Sequence, residues 1–303
     1  MWNRDLKFKV WLIAMTAISA FGLLIVHGMR FDFRSASQAL GTVGLLLPFA
    51  VVFGHRRLDQ FSNLLTGFLC MVVFNLFLSI LTYAGTPLNA PLADEAFVKM
   101  DAAMGIHVPS VVAWSRSHPL IYETFDIAYY SVLPSTLLAL IVLGFDNDVT
   151  RLRDFIVHFM LGGLITTVIF FCVPAVAPAG FFDFGPTAAQ QRFLEHFHAL
   201  RAGNFPVVSM HRLEGLITFP SFHTTWAVLL AYAFRYYRWL RYPMLILNVA
   251  VVLATVILGW HYAIDAVGGI LVAALAVAIT RLTATWRHAD TAATSCETPC
   301  LTA

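Results

Sequence analysis

A chain of 303 residues, 59% of them hydrophobic and only 12% charged, departs from soluble proteins, where about a quarter of residues are charged, and reads as an integral membrane protein. Its net charge of +2 is too small and too dispersed to imply nucleic acid or another polyanionic partner. The four cysteines make neither a disulfide framework nor a zinc pattern, because Cys70 and Cys172 fall in apolar runs while Cys296 and Cys300 sit in a polar tail; no metal or cofactor is called for.

Apolar runs of roughly 20 residues cross a hydrocarbon core at about 1.5 Å per residue. Eight of them, at 10–28, 37–55, 61–84, 119–144, 152–177, 221–239, 242–260 and 262–283, predict an all-α, polytopic membrane bundle. Arg4, Lys7 and Lys9 precede the first run as in a signal peptide, but the run is long and no small-residue cleavage site follows, so it reads as a retained helix. Residues 1–60 then supply two N-terminal helices, 61–285 a core with two long outer loops, and 286–303 a disordered polar tail. With the N-terminus inside, twelve of the nineteen Lys and Arg residues fall on inner segments and seven on the much longer outer ones, which predicts cytoplasmic termini. A bacterial inner membrane, with the outer face periplasmic, is the expected setting.

The outer loops, 85–118 and 178–220, contain amphipathic stretches at Pro91 to Met104 and Thr187 to Ala202. Both are predicted to lie in the interface plane, as caps on the bundle or as the entrance for a lipid headgroup. In the run from Pro119, Glu123, Asp126 and Tyr130 recur at i, i+3 and i+7. That polar stripe is predicted to face the bundle interior, either to hydrogen-bond a neighbouring helix or to bind substrate hydroxyls, for which Asp126 and Tyr130 are the candidates. His158 reads as a helix-packing histidine.

Two stretches carry chemistry. In Gly259-Trp260-His261-Tyr262-Ala263-Ile264-Asp265, the histidine and aspartate are four apart, which on a helix stacks them on one face. The carboxylate can then accept from one ring nitrogen and leave the other as an acceptor, giving a nucleophile or base; taken alone, an ordinary buried ion pair would read the same way. The second stretch, Phe219-Pro220-Ser221-Phe222-His223, places a histidine 38 residues upstream. An even number of crossings separates the two, so both belong to the outer face. A transporter or lipid-binding bundle using these histidines as a proton relay is the non-enzymatic alternative, although the ionisable groups gather at one face and form no path through the bilayer.

The two stretches together resemble the second and third motifs of the type 2 phosphatidic acid phosphatase superfamily, and more narrowly the inositol phosphorylceramide synthase branch. The resemblance covers mainly residues 61–283, which would supply a six-helix core. It implies a lipid phosphatase or phosphotransferase in which His261 attacks phosphorus to form a phosphohistidine, Asp265 holds its tautomer, His223 protonates the leaving alcohol and Ser221 contacts the phosphoryl group, with a lipid phosphate and membrane lipids as partners. The chain departs from the better-known members in two places. No lysine is followed at the required distance by Arg-Pro, and Ala254-Thr255 stands where Ser-Arg is expected. That departure fits the inositolphosphotransferase-type branch and leaves the cationic partners of the phosphate to Arg201 or Arg212, since arginine grips phosphate bidentately.

Overall fold

The structure, a computed structural model, describes residues 2–146 and 148–296. In chain order its helices are α1 (Trp2–Val26), α2 (Ser37–His55), α3 (Asp59–Gly85), α4 (Asp94–Ala103), α5 (Val108–Arg116), α6 (Pro119–Tyr130), α7 (Val132–Gly144), α8 (Val149–Cys172), α9 (Pro178–Phe181), α10 (Ala188–Arg201), α11 (Phe222–Ala233), α12 (Arg241–Ile257) and α13 (Ala263–Cys296). A two-residue parallel pair, β1 (Arg30–Phe31) with β2 (Val207–Val208), ties the α1–α2 turn to the second outer loop.

The all-α bundle is as expected, but the spans are less uniform than eight equal runs. Helices α1, α2, α3, α8 and α13 are long and apolar enough to cross a membrane, and counting the bent pairs α4–α5 and α6–α7 as broken spans raises the number from five to seven. The runs expected at 221–239 and 242–260 are realised as α11 and α12, of 12 and 17 residues. At about 1.5 Å per residue, α11 spans only about 18 Å. It is short because it starts inside the protein, where its cap residue Ser221 is fully buried. The 43° bend between α6 and α7 falls just before Pro134, which lacks the N–H that would continue the helix. Helix α13 runs to Cys296, so residues 286–296 of the tail expected to be disordered are helical, and 297–303 lie outside the described residues.

The core lies between α3, α7, α8 and α11, where Phe74, Leu78, Leu140, Ile156, Phe159, Met160 and Leu230 are buried together. Helices α1 and α2 both pack on α3. Only 11% of the α2 span is buried, so its apolar side chains are left for lipid.

The two amphipathic outer stretches form α4 and α10, which pack against the bundle. Helix α4 buries Asp94, Phe97 and Asp101, and α10 buries Gln190, Phe193, Phe197 and Leu200. Both are packed into the bundle because their polar side chains find backbone partners there rather than water. The polar stripe on α6 differs from expectation. Glu123 is exposed, Tyr130 is 57% exposed, and it is the neighbouring Tyr129 that is buried. The stripe occupies α6, ahead of the bend and next to the outer loop, where cover from the apolar phase is not required.

Candidate active site

The His261 segment is shaped by how α12 ends. The Trp260 and His261 amides both donate to the Thr255 carbonyl, at 3.1 and 3.0 Å, curling the chain back through Gly259. That residue has φ +78°, and a Cβ there would meet Phe184 at 2.9 Å and Val112 at 3.0 Å, so glycine is required on both counts. Ala254 and Thr255, where the resemblance expects Ser-Arg, are fully buried. Ala254 packs with Tyr129 and Leu258, leaving no space for a guanidinium.

His261 is 4% exposed. Its Nδ1 faces two acceptors, the Thr218 carbonyl at 2.8 Å and Asp265 Oδ2 at 3.3 Å. A nitrogen between two acceptors carries the proton, which leaves Nε2 with its lone pair. The expected His261–Asp265 pair is therefore present, but the shorter bond comes from the backbone. Thr218 is itself fixed, its hydroxyl donating to the Ala175 carbonyl at 2.9 Å. Asp265, fully buried, also accepts from the Tyr262 amide at 2.9 Å.

Ser221 caps α11, its hydroxyl accepting from the Thr224 amide at 3.3 Å, while its own amide donates to the Asp265 carbonyl at 3.0 Å. This second bond ties the start of α11 to the start of α13 and brings His223 to His261. The close approach needs Gly269, where a Cβ would stand 2.5 Å from the Ser221 carbonyl oxygen. Gly269→Ala is expected to force the two helices apart at a cost of about 1–3 kcal/mol, read as a lowered thermal midpoint in detergent.

His223 stacks on Tyr129, ring centroids 4.2 Å apart, with Nδ1 and the Tyr129 hydroxyl at 3.2 Å. The Trp260 ring is parallel to that of Tyr129, with centroids 6.1 Å apart. His223 and His261 line one cavity of about 250 Å³, together with Tyr129, Tyr130, Glu214 and Thr218 among others. Its further polar lining is Asn75, Ser79 and Thr82 of α3.

The remaining sequence candidates are placed less directly. Tyr130 lines this cavity, whereas Asp126, Ser221, Arg201 and Arg212 do not. Arg201 donates to the Ala90 carbonyl at 2.9 Å and lies over Phe197. Arg212 ends the short turn Met210–Arg212, with its carbonyl 3.5 Å from the Tyr83 hydroxyl. At the rim it is Arg192 of α10 that reaches the cavity wall, through a 2.7 Å ion pair with Glu214. The Glu214 amide in turn donates to the Tyr83 hydroxyl at 2.7 Å, which pairs with His196 Nδ1 at 2.8 Å. Burial lowers the His196 pKa against the pull of Glu214 and Glu195, which favours its neutral form in this network.

The outer helices hold the motif from behind, which the sequence reading missed. Asp101 accepts from the Ala263 and Ile264 amides at 2.8 and 2.9 Å, capping the first turn of α13 from another element. Asp94 accepts from the Tyr262 hydroxyl at 2.9 Å and from the Val176 amide at 2.9 Å. Gln190 donates to the Leu258 carbonyl at 3.0 Å. The available signal was the spacing of seven between Asp94 and Asp101, which puts two acids on one helix face. Asp101→Ala is expected to strand two buried amides at about 1–3 kcal/mol each, with a lower thermal midpoint that Asp101→Asn, keeping an acceptor, partly restores.

Among the described residues, no group of three or more His, Cys, Asp or Glu side chains is placed to hold a metal ion. No curated protein and no solved structure matches the chain. A family model described as the PAP2 superfamily does match, over residues 95–279, a span that opens in α4 and takes in both histidine motifs and the cavity between them. More than half of the chain lies within that match, and the chain belongs to the PAP2 superfamily.

Proposed function

We propose that this protein is a membrane enzyme that cleaves a lipid phosphoester or pyrophosphate at the cavity shared by His223 and His261. Membership of the superfamily supports a lipid phosphoesterase; the observation that carries the finer reading is that two histidines from separate motifs line one cavity. Phosphoryl transfer needs an in-line nucleophile and a proton for the leaving oxygen. His261 Nε2, with Nδ1–H held by Thr218 and Asp265, forms a bond to phosphorus as the P–O bond to the leaving group breaks. Protonated His223 gives its proton to the departing oxygen. In the second half, His223 takes a proton from the incoming hydroxyl as that oxygen displaces His261 from phosphorus.

The incoming hydroxyl belongs to water in a phosphatase and to a lipid alcohol in a transferase. The lining favours transfer of a phospho-headgroup of the inositol phosphate type. No Lys or Arg is among the lining residues, while Glu214, Asn75, Ser79, Thr82 and Tyr130 are. Such a wall suits a singly charged phosphodiester bearing a polyhydroxylated headgroup better than a doubly charged monoester. Arg192, released from Glu214, is the cation we assign to the phosphate at the rim. The site faces the periplasm of a bacterial inner membrane in this reading, with both termini cytoplasmic.

Incubating the purified protein with lipid phosphomonoesters, pyrophosphates and phosphodiesters, with and without lipid alcohols, tests it. Exchanged headgroup without released phosphate is expected. Phosphate release from the monoesters would make it a phosphatase, and uptake into liposomes with neither reaction would make it a transporter.

A further inference from the structure

At the end of the bundle away from the two histidines, where α8 begins and α11 ends, a second cavity of about 260 Å³ is lined by Arg151, Asp154, His158, Tyr232, Arg235 and Tyr236 among others, and Arg281 of α13, which is not itself in the lining, adjoins it through Tyr232. Its carboxylates are already engaged. Asp154 accepts from Arg153 at 2.8 and 3.0 Å. Asp148 accepts from the Thr150 amide at 3.0 Å and lies 3.4 Å from Arg151, which also pairs with Asp146 at 2.9 Å.

Two guanidiniums are not neutralised in this way. Arg235 donates to the Tyr232 carbonyl at 2.5 Å and to the Tyr236 hydroxyl at 2.9 Å, and sits 3.5 and 4.0 Å from the centroids of those two rings. Arg281 donates to the Tyr232 hydroxyl at 2.5 Å and lies 5.5 Å from the centroid of the same ring. Among the described residues, neither is paired with a carboxylate. His158 completes the cluster, edge-on to Tyr232 and bonded to Thr280 Oγ1 at 2.6 Å.

A guanidinium has five donors in a rigid fork, and these bonds use two on Arg235 and one on Arg281. Stacking and hydrogen bonding have already fixed the side chains, so an oxyanion could be gripped at little further ordering cost. Two uncompensated cations beside one ring also repel each other, and an anion between them relieves that repulsion. Tyr236, Tyr242 and Trp239 stand 56%, 57% and 84% exposed around this end. Exposed aromatics of that kind mark the headgroup level of a membrane, where basic pockets between helices take anionic headgroups.

We propose that this pocket binds the phosphate of an anionic lipid from the leaflet opposite the histidine cavity, with Arg235 and Arg281 as its ligands. The bound lipid would pin the ends of α8, α11 and α13, the helices that carry the two catalytic motifs at their other ends or pack between them. The inference is independent of the proposed reaction.

Native mass spectrometry of the full chain, released from nanodiscs of phosphatidylcholine mixed four to one with phosphatidylglycerol, tests it. Wild type is expected to retain phosphatidylglycerol, and Arg235→Gln/Arg281→Gln to retain it at least about tenfold less while leaving the histidine cavity intact. Arg235→Lys/Arg281→Lys, which keeps the charge and loses the fork, guards against a folding defect and is expected to fall between them. Equal retention by wild type and the Gln double variant, or none by wild type, would overturn the proposal. So would displacement of the lipid by inorganic phosphate alone, which would assign the pocket to a soluble anion.

Discussion

Replacing His261 with alanine is expected to lower turnover of the lipid phosphoester by about four orders of magnitude or more, because the other histidine of the cavity, His223, is assigned to proton transfer and not to attack on phosphorus. The His261 Nδ1 is tied by the Thr218 carbonyl at 2.8 Å and Asp265 at 3.3 Å, so only Nε2 is free to attack. The accompanying measurement is the covalent adduct. Quenched wild type should carry the phospho-headgroup bonded through phosphorus to His261, in an adduct labile to acid, and His261→Ala should carry none. The same geometry makes a sharper statement about Asp265. Where a carboxylate alone fixes a catalytic imidazole, its amide analogue can cost about 10⁴-fold through the wrong tautomer. Here the Thr218 carbonyl fixes the tautomer independently, so Asp265→Asn is expected to cost only about 10- to 100-fold. A loss as large as that of His261→Ala would mean that the backbone bond does not hold the ring in solution.

His223→Ala is expected to slow cleavage of a phosphoester whose leaving group is a lipid alkoxide by about 10²- to 10⁴-fold, the usual worth of a positioned general acid. The test that separates acid catalysis from a structural role is the leaving group. Nitrophenolate departs from a nitrophenyl phosphodiester as a stable anion that needs no proton, so in the first, burst-phase release of nitrophenolate the same variant should lose no more than about tenfold. Equal losses on both substrates would show that His223 shapes the cavity without donating a proton. Tyr129, stacked on His223 at 4.2 Å with its hydroxyl on Nδ1, sets the orientation on which this step depends.

How far the site could be read from the sequence differs from residue to residue. His261 and Asp265 were legible because ionisable groups within apolar sequence are costly, and a spacing of four places them together on a helix. His223 followed from parity, since an even number of crossings returns the chain to one face. The cation we assign to the phosphate, Arg192, was not legible in the same way. Arg201 and Arg212 stand nearer His223 in sequence than Arg192, yet α10 turns Arg201 toward Ala90 and Arg192 toward Glu214. Which side of a surface helix meets the cavity is a matter of docking, and the helix's own sequence does not state it.

The outer loops show the same limit. Their amphipathic pattern was plain, and an interface-plane helix was the natural reading of it. What that pattern did not state is that Asp94 and Asp101 are placed against Tyr262, Ala263 and Ile264, a pairing between residues more than 160 positions apart. The sequence by itself determined the membrane bundle, the superfamily motifs and the two histidines, because hydrophobic run length and short-range spacing are local quantities. Only the tertiary structure decided what holds those histidines in place, because a buried backbone amide takes whichever acceptor packing brings to it, from any distance along the chain.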